Sequence, residues 1–218
     1  KNPEAWYLEP PTIQPVKSDS WTGKVSEGGD VNFNNISFNP HAHGTHTESV
    51  GHITEKFFSI NAALKKFMFK AKVISVVAEE RGEDFVISRK QIKTYFKTGQ
   101  AEALVIRTLP NTSAKKTRNY NNTNWPYLTE KAATYIRRCG VNHLLIDLPS
   151  VDKEKDDGKL LAHHAFWFHP QRTRKNATIT ELIFVPNKIA DGDYLLNLQI
   201  ASFDNDASPS KPVLYRIL

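Results

Sequence analysis

Four of the chain's eight histidines fall in one short stretch, Pro40 to Thr54, which reads PHAHGTHTESVGHIT. It holds His41, His43, His46, Glu48 and His52. Imidazole and carboxylate together suit zinc, manganese or iron and need no thiolate. Such a segment must bend so that its donors converge. Extended backbone through Thr45–Glu48 would point His46 and Glu48 to one side, because side chains alternate along a strand. A helix beginning near Ser49 would then set Glu48 and His52 one turn apart. Gly44 would let the backbone bend sharply or approach a metal closely. A purification tag is a run of consecutive histidines at a terminus, whereas this cluster is interior and contains a carboxylate.

The rest of the chain must supply the scaffold. Its 218 residues, 39% hydrophobic, predict one globular domain over residues 1–218, within the usual roughly 100–200 residues per domain. No apolar run approaches the roughly 18 residues of a membrane span. The sequence begins at Lys1 without Met or a signal-like segment, as a trimmed or mature form would. Cys139 is the only cysteine, which excludes an intramolecular disulfide and Cys-based zinc motifs. It also leans towards a reducing compartment, the cytoplasm. The net charge of +6 raises nucleic acid as a partner. The charges are spread, however. The densest group, Lys115, Lys116 and Arg118, lies among asparagines and reads as a solvated loop, so neither nucleic acid nor membrane is expected.

Residues 1–39 carry Pro3, Pro10, Pro11 and Pro15 and read as an irregular N-terminal arm. It leads into short strands near Lys24–Ser26 and Val31–Phe33, and could cover the sheet or reach a partner subunit. Phe67–Val77 is apolar and β-branched, as in a strand. Ser88 caps a helix through Tyr95 that Gly99 closes. Ala103–Leu109 and Val141–Asp147 read as buried strands. Thr129 caps the helix TEKAATYIRRCG, with Arg137 and Arg138 in its last turn. A short helix is expected around Leu160–Phe168, then strands over Ala177–Val185, Tyr194–Phe203 and Val213–Leu218. The fold class is α/β, with a mixed sheet packed with helices.

A second cluster, LLAHHAFWFH, contains His163, His164 and His169, and Glu181 follows in TITELIF. A histidine pair on an amphipathic helix is commonly a packing feature. A carboxylate inside an apolar strand needs a charged partner, a metal or exposure. The two support each other only if this region folds against the first cluster.

HGTHTESVGH resembles the HxGTHxDxPxH signature of the metal-dependent cyclase family, which includes bacterial kynurenine formamidases and isatin hydrolases. ALVIRT, GVNHLLIDLPSVD, AHHAFW and TITELIFVPNKIADGDYLLNLQIA resemble further parts of the family, so the likeness runs from about His41 onward. The resemblance implies the family's swivelling β/β/α-type fold and one or two divalent ions, zinc or manganese. It implies ligands at His46, Glu48, His52, His163 (with His164 as fallback) and Glu181. It also implies a homodimer or homotetramer acting on a small molecule. Three departures stand out. The first motif histidine falls on Ala42, so His41 or His43 must reach in. Glu48 replaces aspartate, and Val50 replaces proline.

The implied chemistry is hydrolysis of a C–N bond in an amide, formamide or cyclic amide. A metal lowers the pKa of its water towards roughly 7 and polarises the carbonyl. His46, Glu48 and His41 or His43 would hold the first ion, and Glu48 would bridge to any second ion, held with His52, His163 and Glu181. With one ion, His52 or His163 is free for acid–base work. His52, His163 and Glu181 are thus the catalytic candidates, and Trp21, Phe166 and Trp167 could wall the pocket. The alternative is a catalytically inactive metal- or small-ligand-binding relative, favoured by the displaced first histidine.

Overall fold

The computed structural model describes residues 2–217. In chain order the strands and helices are β1 (Thr12–Pro15), β2 (Asn34–Ser37), α1 (Pro40–His43), β3 (His46–Glu48), α2 (Ile60–Ala63), β4 (Met68–Val77), β5 (Glu79–Arg81) and β6 (Asp84–Ile87). They continue with α3 (Arg89–Tyr95), β7 (Ala103–Leu109), β8 (Tyr127–Leu128), α4 (Glu130–Arg138), β9 (His143–Ile146), α5 (Leu161–Trp167), β10 (Thr178–Glu181), β11 (Gly192–Asn197), β12 (Ala207–Pro209) and β13 (Val213–Arg216).

Eight strands form the main sheet, in the order β12-β3-β10-β9-β7-β4-β11-β13. The central four, β10, β9, β7 and β4, run parallel. Antiparallel strands extend the sheet on both sides, β3 and β12 on one and β11 and β13 on the other. The protein is therefore an α/β fold with a mixed sheet, as expected. Alternation along the strands builds two cores. Leu104, Ile106, Leu144, Ile146 and Ile179 pack with residues of α3, α4 and α5, while Val73, Ala103, Val105, Leu145 and Leu196 fill the opposite face. Each fully buried aliphatic side chain contributes roughly 1.5–3 kcal/mol by leaving water.

The helices follow their capping residues. Ser88 and Gln91 form a reciprocal capping box at α3, and the Thr129 side chain accepts from Ala132 N at α4. Gly99 does not close α3, which ends in extended backbone at Phe96. Gly99 instead turns the chain with φ +72°. The late strands are shorter than expected: β10 stops at Glu181 because Leu182 adopts φ 52°, and β11 stops at Asn197. β13 begins at Val213 as expected, and Leu218 lies outside the described residues. The N-terminal arm also differs. Val25–Glu27 is a 3-10 turn, and the strands are β1 and β2, paired as a two-stranded ribbon through Ile13 and Ile36.

The loop after β7 is not simply solvated. Lys115 leaves it to pair with the buried carboxylate of Asp147 at 2.8 Å and to donate to Thr108 Oγ1 at 2.9 Å. Burial pushes the Asp147 carboxyl up, against the pull of Lys115. Arg118 and Lys116 lie over the Tyr120 and Phe184 rings. The charge density of the loop is thus partly structural.

Candidate metal centre

Strand register brings the two histidine-bearing regions together. β3 lies between β10 and β12, with Glu181 opposite His46, Ile179 opposite Glu48 and Ala207 opposite Glu48. Ile179 belongs to the helix-side core, so His46, Glu48 and Glu181 point towards α5. His46 Nε2 lies 3.5 Å from Glu181 Oε2. From α5, His163 reaches Glu48 Oε1 at 3.2 Å and stands 3.7 Å from Glu181 Oε1.

After β3 the chain makes a 3-10 turn, Val50–Ile53, capped by Ser49, whose hydroxyl accepts from Gly51 N. The turn carries His52 back to within 3.8 Å of Glu48 Oε2. Gly51 is required here, since a Cβ would collide with the Phe58 carbonyl oxygen. Gly44 is not: its φ of 166° is ordinary extended backbone, and a Cβ would meet only Asn2 Nδ2 at 4.0 Å.

Of the two histidines that could fill the displaced first position, His41 enters the cluster. Its Nδ1 is 3.2 Å from Glu48 Oε2, and its ring stacks on His52 with centroids 4.3 Å apart. His43 stands outside the clustered ligand groups: its Nδ1 accepts from Asn39 N at 2.9 Å, and its buried Nε2 has no hydrogen-bond partner. His164 is likewise engaged elsewhere, its Nδ1 bonded to the His169 carbonyl at 3.1 Å and its ring stacked on His169. Phe166 and Trp167 are fully buried core residues, and Trp21 packs edge-on against Phe33 in the N-terminal arm. Core packing accounts for Phe166 and Trp167, whereas the half-buried Trp21 lies outside both cores.

Each inward imidazole is held from behind by an oxygen. His46 donates from Nδ1 to Gly44 O at 2.9 Å. His163 donates from Nδ1 to Asp152 Oδ2 at 2.6 Å. His41 and His52 both contact Asp206 Oδ2, at 3.0 and 3.3 Å. This is the arrangement that fixes tautomer and ring direction in metal-binding histidines. Asp206 was not legible as a site residue. It lies in the polar run FDNDASP, and only the β12–β3 register brings it to the cluster. Asp152 ends the IDLPSVD segment, and its carboxylate also accepts from Ala162 N and His163 N at the start of α5.

The electrostatics follow from this packing. Burial opposes the positive charge on His41, but the Asp206 and Glu48 carboxylates outweigh it and raise its pKa to about 10. His163 is raised well above the usual range by the same opposition, burial against Asp152 and Glu48. Glu48 is fully buried, yet the surrounding imidazoles hold its carboxyl well below the ordinary value.

Two buried atoms at the centre remain without a hydrogen-bond partner: His46 Nε2 and Glu48 Oε2. The 3.2 Å approach of His41 Nδ1 to Glu48 Oε2 does not satisfy it. Leaving a buried acceptor unmade costs roughly 1–3 kcal/mol, more when it is charged. An inward-facing lone pair and an unpartnered carboxylate oxygen are what a divalent cation would complete. Ligand atoms of His41, His46 and Glu48, those of Glu48, His52 and His163, and those of His41, His52 and Asp206 form three groups, the atoms within each lying within 4.8 Å of one another. The donor set, nitrogen and carboxylate without sulfur, fits a borderline or hard divalent ion.

Fold and cluster together define an α/β protein with a buried histidine–carboxylate centre on one face of a mixed sheet. The family model Cyclase, described as "Putative cyclase", matches residues 3–153, and the chain belongs to that family. It is 28% identical over 215 residues to a kynurenine formamidase of Bacillus cereus, covering 92% of this chain and 94% of the relative. A solved structure described as a potential metal-dependent hydrolase with cyclase activity superposes with a TM-score of 0.67 at 14% identity, covering 98% of this chain and 92% of that one. An isatin hydrolase bound to the product analogue thioisatinate gives 0.66 at 14% identity, covering 93% and 80%. Among the described residues no helix is long and apolar enough to cross a membrane.

Proposed function

We propose that this protein is a metal-dependent hydrolase that cleaves the C–N bond of an amide, formamide or cyclic amide. The observation that carries the reading is the pair of unpartnered buried atoms, His46 Nε2 and Glu48 Oε2, at the focus of four inward imidazoles. The curated relatives, which are kynurenine formamidases, support the reaction class.

His41, His46, Glu48, His52, His163 and Glu181 would hold the metal, zinc or manganese. Glu48 is common to two of the ligand groups, which supports a capacity for two ions sharing it. When bound, such an ion supplies Lewis-acid polarisation of a carbonyl and lowers the pKa of a neighbouring water to about 7. The chain's own residues do the rest. Without an ion, His163 is clamped at both nitrogens, by Asp152 and Glu48, and it would give up the Nε2 proton facing Glu48 to serve as a ligand. His52 is the most exposed imidazole of the set, its side chain 31% exposed. With a single ion held by His41, His46 and Glu48, His52 is the residue placed to take up and return a proton at Nε2. Glu181 is oriented by the Val151 N–H, which it accepts at 2.8 Å.

The displaced first histidine favours an inactive metal- or small-ligand-binding relative; His41, 3.2 Å from Glu48 Oε2, supports a complete ligand set, and turnover distinguishes the two readings. A homo-oligomer is part of this proposal. The ribbon of β1 and β2 exposes Ile13 and Ile36, 65% and 61% exposed, and an isolated two-stranded ribbon is marginally stable in water. The test is hydrolysis of N-formylkynurenine, isatin and simple aryl formamides with added zinc or manganese. Turnover abolished by chelation supports the reading. No turnover on a broad amide and lactone panel, despite stoichiometric metal, would sink it in favour of a binding protein.

A further inference from the structure

His41 and His52 come from different elements, yet their stacked rings stand between the same two carboxylates. On the inner side is Glu48, 3.2 Å from His41 Nδ1 and 3.8 Å from His52 Nε2. On the outer side is Asp206, whose single oxygen Oδ2 lies 3.0 Å from His41 Nε2 and 3.3 Å from His52 Nδ1. The two sides are not equivalent. The outer contacts have hydrogen-bond geometry, while Glu48 Oε2 on the inner side is left without a partner.

We propose that Asp206 is a positioning residue shared by two imidazoles: it accepts the Nε2–H of His41 and the Nδ1–H of His52, and so aims the other nitrogen of each ring at the Glu48 side. This rests on the metal-dependent reading above. The assignment gives His41 and His52 opposite tautomers from one carboxylate, which a solvating water on each ring would not impose. It also explains how a histidine displaced by one place still serves the centre. His41 approaches from α1 with Nδ1 foremost, and only an acceptor on its far side fixes that orientation.

Asp206 is itself held by backbone. Its carbonyl accepts from Ser49 N at 2.9 Å, the preceding Asn205 carbonyl accepts from Ile60 N at 2.8 Å, and β12 begins at the next residue, opposite Glu48. The carboxylate, 21% exposed, thus stands at a fixed place on the solvent side of the cluster. The pairing is independent of His163 and His46, whose outer oxygens come from Asp152 and Gly44.

The experiment is zinc and manganese titration by calorimetry of the full chain as wild type, Asp206→Ala, Asp206→Asn and Asp204→Asn. Ring-nitrogen NMR on the zinc-loaded proteins accompanies it. Asp204 is an exposed neighbour and controls for loss of charge alone. The expected result is a roughly 10–100-fold weaker affinity for Asp206→Ala, the usual cost of losing an outer partner, with unchanged stoichiometry and a smaller loss for Asp206→Asn. Asp204→Asn should stay at wild type. The NMR should show His41 carrying its proton on Nε2 and His52 on Nδ1 in wild type, with that pattern lost in Asp206→Ala. If Asp206→Ala does not fold, the Asp206→Asn affinity and tautomers decide. Unchanged affinity and tautomers overturn the positioning role while leaving the metal reading intact. A drop in the number of ions bound would make Asp206 a direct ligand and also overturn it. A wild type that binds no ion removes both.

Discussion

Glu181 faces His46 directly across the β10–β3 ladder, with His46 Nε2 3.5 Å from Glu181 Oε2. Their pairing joins the early histidine segment to the later one. Because both side chains point to the helix side of the sheet, α5 can deliver His163 to the same place.

Glu48 is the hub of the cluster, approached by His41, His52 and His163. Glu48→Gln keeps the size and removes the charge. Metal affinity should fall by more than about 100-fold, beyond the upper end of what loss of an outer partner costs. Calorimetric titration checks this, and near-wild-type affinity would refute the assignment of Glu48 as the central ligand.

His41 and His164 lie on opposite sides of the ligand question. His41→Asn should lose most metal binding and activity. His164→Asn, which disturbs only the His164–His169 stack, should retain both within about threefold, as substitutions away from key features usually change stability by less than about 0.5 kcal/mol. Metal content after gel filtration, measured beside kcat/KM, separates the two variants.

Protons must leave when a cation enters. His41, raised to about 10, and His163, also raised, are charged at neutral pH in the metal-free protein. Metal binding near neutral pH should therefore release a proton from each, and affinity should climb with pH towards the His41 pKa. The metal-free protein should respond in the opposite sense. The stabilisation from a raised histidine pKa is complete below the unfolded value of 6.5 and is lost as pH rises through about 10. Calorimetry in buffers of different ionisation enthalpy counts the protons, and zero release would contradict the charged pair.

His143 works the other way. Buried at the start of β9 against the Phe69 ring, it is lowered to about 4 by burial and then by Arg174. The unfolded chain takes up this proton below about 6.5 and the folded chain does not until about 4, so stability falls as pH drops through that window. The loss is on the order of 3 kcal/mol when complete. His143→Gln should flatten this part of the stability–pH curve in urea denaturation. An unchanged slope would mean that another group sets the acid sensitivity.

The parts of the centre legible in sequence are those fixed by local rules. Alternation along β3 puts His46 and Glu48 on one side, and a capping serine starts the turn that returns His52. Glu181 stood out because a carboxylate in an apolar strand needs a partner. What could not be read depends on long-range register. Asp206 reaches the cluster only because β12 pairs with β3, and nothing in FDNDASP signals this. The choice of His41 over His43 turns on how α1 is set against β3, which brings His41 rather than His43 to Glu48. Lys115 looked like part of a solvated loop because its partner, Asp147, lies at the end of a different strand. The N-terminal strands lie elsewhere than expected for a related reason: ribbon pairing, rather than local β-propensity, decides where β1 and β2 fall.

The most direct test of the central claim is an anomalous-scattering map from crystals of the protein loaded with zinc or manganese. The signal should fall inside the cluster bounded by His46, Glu48, His163 and Glu181, bonded to His46 Nε2 and Glu48 Oε2. A fully loaded crystal whose signal lies elsewhere, with those two atoms still unpartnered, would contradict it.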